Sequence, residues 1–348
     1  MEDAGARYRL ARVLAPQIPT DLARFAIGFD QRDRERLHAL WNGVLDAERW
    51  SEGTLTAQFE AAWARWNDLE AVAFNGWTGA ALAALEWAGV RGETVLCPSN
   101  TFMATPLAAI SAGARVEFVD CNRDDLCMSF EDLERKVQEH RPRAVFLVHI
   151  GGHLAFDSDR IAELCRSEGI LLIEDCAHAH GADWNGRHAG SWGDVGVWSF
   201  APTKTISTGE GGMLVSRHPE ALEFARAFRN YGKPDYALHG LNFRMNEFTA
   251  AIGVVQVDRL DEIVAWKNEQ ARLHIDPLYP SRLKLPDGMT SGLYKVVVFE
   301  PVEQSTGKVY DEPCHRVLGH AVDLPVSDWV AENHWCVPLY YRAEEEAS

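Results

Sequence analysis

Leu55, Phe59, Ala62, Trp63 and Trp66 stand at i, i+4, i+7, i+8 and i+11, the spacing of a helix that buries one face. Further along, the pattern changes to short, almost continuous apolar runs: "TVLCP" (94–98), "VEFVD" (116–120), "AVFLVHI" (144–150), "ILLIED" (170–175), "VGVWSF" (195–200) and "GMLVS" (212–216). Runs of that length and composition predict strands buried on both faces. Helical patterns fall between several of them, at about 130–140, 157–168 and 220–231, and the small apolar residues 80–88 predict a helix packed closely on a sheet. Strand–helix repetition of this kind predicts an α/β domain with a mostly parallel sheet. A longer helix with Phe248, Ala251, Ile252 and Val255 on one face leads into the last third. There "PLYPSRLKLPDG", "LYKVVVFEP" and "WCVPLYY" predict a smaller α+β unit. The charged, weakly periodic residues 1–35 predict an extended arm. The expected organisation is therefore an arm (1–35), a large domain (36–262) and a small domain (263–348).

Composition narrows the partners. The net charge is −17, from 51 acidic and 34 basic residues. That balance repels phosphate backbones and anionic lipid, so neither nucleic acid nor a membrane is an expected partner. A small anionic substrate stays compatible with a locally positive pocket. The seven cysteines are odd in number and form no CxxC pair, which argues against a disulfide framework or zinc ribbon and for a reducing compartment. "MEDAGARYRLARVLAPQIP" lacks the apolar core of a signal peptide, and no apolar run reaches the roughly 18 residues of a membrane helix. The expected location is the cytoplasm.

One stretch carries a cation where the pattern predicts burial. In "WSFAPTKTISTGEGG" (198–212), Lys204 follows a buried strand by a few residues, and glycines at 209, 211 and 212 follow it. A lysine in a loop is ordinarily solvated. Here the glycines imply closely packed backbone, and Ser199, Thr203, Thr205, Ser207 and Thr208 supply uncharged donors. Asp175 ends the strand "ILLIED" at the carboxyl edge, where ligands collect in parallel sheets; the plainer reading is a strand-ending turn. A lysine and an aspartate at one such edge are what pyridoxal 5′-phosphate (PLP) needs. The lysine forms a Schiff base and the aspartate keeps the pyridine nitrogen protonated. Backbone N–H groups at a helix start could hold the phosphate, and "NGWTGAA" with Ser199 offers them. Phe102 in "SNTFMAT" is an aromatic ring available to cover the cofactor.

"IEDCAHAHGA", "GDVGVWSFAPTKTISTGEGGML", "SNTFMATPLAAISAGARVEFVD" and "LNFRMNEFTAAIG" together resemble the DegT/DnrJ/EryC1/StrS family. The resemblance runs from about residue 53 to 262, with a weaker match at "LYKVVVF" and "WCVPLY". It implies a fold type I, PLP-dependent transferase: a large domain whose mostly parallel sheet is sandwiched by helices, plus a smaller C-terminal α+β domain. It implies a homodimer with shared active sites, passing through pyridoxamine 5′-phosphate as it moves an amino group from L-glutamate to a nucleotide-linked keto sugar. By residue, the resemblance makes Lys204 the Schiff-base lysine, Asp175 the pyridinium partner and Phe102 the stacking aromatic. Thr78 and Ser199 become phosphate contacts, with Asn242 reaching over from the neighbouring subunit. His178 stands where the family often has glutamine. Trp77 stands where the family has glycine, so the phosphate loop must make room for an indole. The C-terminal stretch resembles 4-aminotransferases that act on TDP-4-keto-6-deoxy-D-glucose.

Other readings compete. A 3-keto-sugar aminotransferase would share the site. A sugar 3-dehydratase of the same family would have lost the lysine. A non-catalytic PLP-binding regulator would need a further module. "CAHAH" (176–180) could suggest a metal, with His178 and His180 on one strand face and Cys176 beside them, yet no carboxylate or histidine elsewhere falls at a convincing companion spacing, so a cofactor wall is the expectation and no metal is. "HIGGH" (149–153) could line a substrate pocket or be a turn. Arg229, Lys233 and Arg244 are candidates for the diphosphate, or surface or interface charges.

Overall fold

The structure is a computed structural model that describes residues 18–343. A seven-stranded sheet forms its centre. It is built from β1 (Glu70–Phe74), β2 (Thr94–Pro98), β3 (Arg115–Val119), β4 (Ala144–Val148), β5 (Leu171–Asp175), β8 (Val195–Ser199) and β9 (Gly212–Ser216). The intervening β6 (Asp183–Trp184) and β7 (Arg187–His188) form a small separate ribbon. In the main sheet the order is β1-β9-β8-β5-β4-β2-β3. β9 pairs antiparallel with both of its neighbours, and the remaining pairs are parallel. Five of the six strands anticipated from apolar runs therefore lie parallel, and the sixth, "GMLVS", is the reversed one.

Alternation along the strands divides the core. Ala144, Phe146, Ile173, Val195 and Val197 face one layer, under helices Trp77–Ala88, Ala104–Ser111 and Pro219–Phe228. Val145, Leu147 and Leu172 face the other, under helices Phe130–His140 and Ser158–Glu168. Helices Thr54–Asn67 and Glu247–Asp258 extend that second layer over β1 and β9 through Phe59, Trp63, Ala250 and Val254. The buried Glu247 anchors the pair. Its carboxylate accepts the N–H groups of Gly53 (3.0 Å) and Leu55 (2.7 Å), so one helix start caps the other.

The sequence pattern missed three features. The chain read as an extended arm lies outside the described residues up to 17. Within the described part it forms a short helix, Thr20–Ala23, and is helical again from Gln31, where Asp30 and Asp33 close a capping box on helix Gln31–Asp46. Only Asp33, Leu37 and Val44 of that helix are buried, so its apolar period is too sparse to read. β1 was not anticipated either, and the first sheet-packed helix begins at Trp77 instead of residue 80. In the C-terminal part β11 (Val296–Val298) pairs antiparallel with β12 (Trp335–Val337), and β10 (Met289–Thr290) joins the β6–β7 ribbon. Among the described residues, no helix is long and apolar enough to cross a membrane. All seven cysteines are buried and free.

Candidate active site

Pairing register brings the chemistry to one edge. Asp175 is the last residue of β5 and pairs with Val197, two residues before Ser199 at the end of β8. Ser199 and Phe74 flank Gly212, the first residue of the reversed β9. A side chain at 212 would strike the Gly76 carbonyl and the Trp77 nitrogen, which explains the glycine: the start of helix Trp77–Ala88 is pressed against it. Gly209 has φ +84°, a conformation glycine adopts without the Cβ penalty.

Asp175 is buried and fully engaged on one oxygen. Its Oδ1 accepts from the Trp77 indole N–H at 3.0 Å and the Ala177 N–H at 3.1 Å, and its Oδ2 accepts from the Thr105 hydroxyl at 2.9 Å. Burial pushes its pKa above the usual carboxylate value, while these donors and Lys204 pull the other way. Lys204 is half-buried in the turn after β8, with its ammonium 4.5 Å from the centre of the Tyr294 ring. Burial lowers its pKa and Lys295 adds to the effect, against Tyr294 and Asp175, which raise it. A lysine so placed spends more time as a neutral amine than one in water.

His178 packs on Tyr294, ring centres 4.2 Å apart at 30°, with its Nδ1 buried and unpartnered. Burial and the charges of Lys204 and Lys295 hold it well below the ordinary histidine pKa, hence neutral. Tyr294 itself escaped the sequence reading. It reaches the site from the loop before β11, where only the tertiary fold places it, and its hydroxyl lies 3.2 Å from Thr203 Oγ1. Replacing His178 with Gln, which keeps a donor and an acceptor, should leave PLP affinity within about threefold, whereas His178→Leu should lower it about tenfold. Titration of the apoprotein with PLP measures both.

The other anticipated residues lie at a helix start, a strand end and in loops. Thr78 is exposed in the first turn of helix Trp77–Ala88, whose N-cap Gly76 makes no side-chain cap, so the first N–H groups remain available to an anion. Ser199 is buried, with its Oγ accepting weakly from the Ala201 N–H. Phe102 is 71% exposed just before helix Ala104–Ser111, an apolar ring facing outward. Asn242 is exposed and bridged to Asn230. Trp77 departs from expectation: its indole turns into the core against Phe146 instead of crowding the loop. The unpartnered His178 nitrogen, the uncapped helix start, the outward Phe102 ring and the open side of Asp175 Oδ2 fit PLP.

The remaining residues named from the sequence stand in different settings. Arg229 is tied down inside the fold, donating to Glu60 at 2.5 Å and to the Ala73 carbonyl at 2.6 Å, so it is no diphosphate ligand. Arg244 donates to Asn230 at 2.6 Å, and Lys233 is exposed. His180 sits among Trp63, Trp198 and Phe200, where burial pushes its pKa down to about 3. Among the described residues, His149, Glu174 and Cys176 lie close enough to share an ion. Yet His149 Nδ1 accepts from the Ala155 N–H, so Nε2 donates to Glu174 at 2.8 Å, and Glu174 also takes the N–H groups of Gly190, Trp192 and Gly193. That trio braces a loop, and "HIGGH" begins in it.

Known proteins share this arrangement of chain. A family profile described as the DegT/DnrJ/EryC1/StrS aminotransferase family matches residues 31–291. A GDP-perosamine synthase from Escherichia coli O157:H7 is 32% identical over 64% of this chain and 63% of its own length, so the match spans less than two thirds of that relative. A dTDP-3-amino-3,4,6-trideoxy-alpha-D-glucose transaminase from Micromonospora megalomicea subsp. nigra is 32% identical over 83% of this chain and 85% of its own. The crystal structure of S. venezuelae DesV in complex with a ketimine intermediate superposes with a TM-score of 0.83, at 26% identity over 93% of this chain and 94% of that one. With a family match over most of its length, and with the lysine–aspartate edge in place, the chain belongs to the DegT/DnrJ/EryC1/StrS family of PLP-dependent aminotransferases.

Proposed function

We propose that this protein is a cytoplasmic, homodimeric aminotransferase that moves an amino group from L-glutamate to a nucleotide-linked keto sugar. The favoured acceptor is C4 of TDP-4-keto-6-deoxy-D-glucose, in deoxyaminosugar and antibiotic biosynthesis. The observation that carries the reading is the half-buried Lys204 amine, its pKa lowered, at the same sheet edge as the buried Asp175 carboxylate. Bound PLP would supply the electron sink and the carbonyl that exchanges amines. Asp175 would hold a proton at the ring nitrogen through the open side of Oδ2. Thr78 and Ser199 would take the phosphate together with the helix N–H groups, and Asn242 would add a contact across the dimer. Phe102 would cover one face of the ring and exclude water. Lys204 Nζ, once free, would move the proton from the Cα of the donor. Amination at C3 is the second reading, supported by the name of the Micromonospora relative.

The test is the visible absorbance of the protein with PLP before and after L-glutamate. The expected result is a bound-cofactor band that glutamate converts to the aminated form and that a keto sugar restores. Restoration by TDP-4-keto-6-deoxy-D-glucose supports C4, and restoration only by a 3-keto sugar moves the assignment to C3. A band that glutamate leaves unchanged overturns the donor.

A further inference from the structure

Trp77 opens the helix that would face the cofactor phosphate, yet its side chain turns inward. The indole is 8% exposed and lies in the same core as Ala80, Ala81 and Ala84 of its own helix, whose small side chains leave room beneath the sheet edge. Phe146 on β4 packs against it with ring centres 6.4 Å apart. Held there, Nε1 donates to Asp175 Oδ1 at 3.0 Å. Each carboxylate oxygen offers two lone pairs. Oδ1 is filled by Trp77 and Ala177, and Oδ2 holds Thr105 alone.

From this geometry we infer that Trp77 is a positioning residue for cofactor recognition: its indole N–H fixes the Asp175 carboxylate, keeps it ionised, and leaves only Oδ2 open to a protonated ring nitrogen. The inference rests on PLP being the ligand of this site. The physical need is specific. Burial favours the neutral acid at Asp175, and a neutral acid cannot pair with a pyridinium. A donor on Oδ1 stabilises the anion without occupying the position the ring requires. The backbone N–H of Ala177 acts the same way on Oδ1, and the Thr105 hydroxyl stabilises the anion from Oδ2, so Trp77 completes a set of three.

The test measures affinity against pH for the apoprotein with 4′-deoxypyridoxine 5′-phosphate, which keeps the ring nitrogen and phosphate but cannot react with Lys204. Affinity should fall at acid pH as Asp175 takes up a proton. Losing one hydrogen bond to a charged group should move that fall upward by about one pH unit in Trp77→Phe, with about tenfold weaker binding near its midpoint. Thr105→Val should move it in the same direction. If Trp77→Phe does not fold, benzothienylalanine at position 77 keeps the ring shape without the donor and should give the same shift. A lower melting temperature with an unmoved acid limb overturns the inference and leaves Trp77 a packing residue. Failure of the unaltered protein to bind either PLP or the analogue overturns the cofactor reading as well, so the two failures are distinguishable.

Discussion

Lys204→Ala is expected to remove covalent retention of PLP and to slow the half-reaction with L-glutamate by about 10²–10⁴-fold, the usual contribution of a positioned acid–base group. Borohydride reduction followed by intact mass measurement gives the first readout. The unaltered protein should gain the mass of the reduced cofactor, and the variant should not. Lys204 is half-buried, and its side chain leans on Tyr294, with which it shares a hydrogen bond as well as the ring contact. Its removal should therefore leave thermal stability within about 1 kcal/mol, so that a lost activity cannot be blamed on unfolding. Methylamine added to the variant should return part of the proton transfer, because it supplies the missing amine without the missing geometry. A variant that still retained reduced cofactor would place the link on another amine. Lys295, whose charge already acts on Lys204, would be the first to examine.

How far this site could be read in advance depended on whether chain order or tertiary packing sets it. Strand ends at a parallel edge are legible, because the apolar runs before Asp175 and Ser199 fix where each strand stops and the α/β pattern fixes which edge they share. β2 and β9 coincide with the anticipated runs, and β5 and β8 differ from theirs by one residue at one end. What failed is the placement of side chains by long-range packing. Tyr294 arrives from a C-terminal loop that no local pattern links to Lys204. The inward turn of Trp77 depends on the angle at which its helix leaves Gly76, itself set by Gly212 on another strand. Arg229 looked free in sequence because Glu60, its partner, lies in a distant helix. Helix Gln31–Asp46 was hidden for a different reason: it buries too few apolar residues to show a period, and its start is fixed by the Asp30–Asp33 capping box.

Asp175→Asn should separate cofactor binding from chemistry. Three donors converge on this side chain, from Trp77, Ala177 and Thr105. An asparagine can satisfy the first two only by keeping its carbonyl oxygen at the Oδ1 position. Its NH₂ group then takes the Oδ2 position, where the Thr105 hydroxyl can rotate to accept. That NH₂ group can donate to an unprotonated ring nitrogen but cannot hold a proton on it. PLP should still bind, and the half-reaction with L-glutamate should fall by about 10²–10³-fold, the scale of losing one preorganised electrostatic contact. The pH behaviour gives the sharper comparison. In the protein without cofactor Asp175 has its pKa raised by burial, so binding of the cofactor to the unaltered apoprotein should weaken on the acid side as the carboxyl takes up a proton, and the variant should lack that limb. The same shift fixes the sign for folding of the apoprotein. A carboxyl with its folded-state pKa raised stabilises fully below its unfolded pKa, and that contribution is lost as the pH rises through the folded value. At neutral pH the apo form of Asp175→Asn should therefore melt at or above the unaltered apoprotein, while PLP should raise the melting temperature of the unaltered protein more. A variant that melts lower and retains near-normal turnover would show that Asp175 supports the fold and not the cofactor ring.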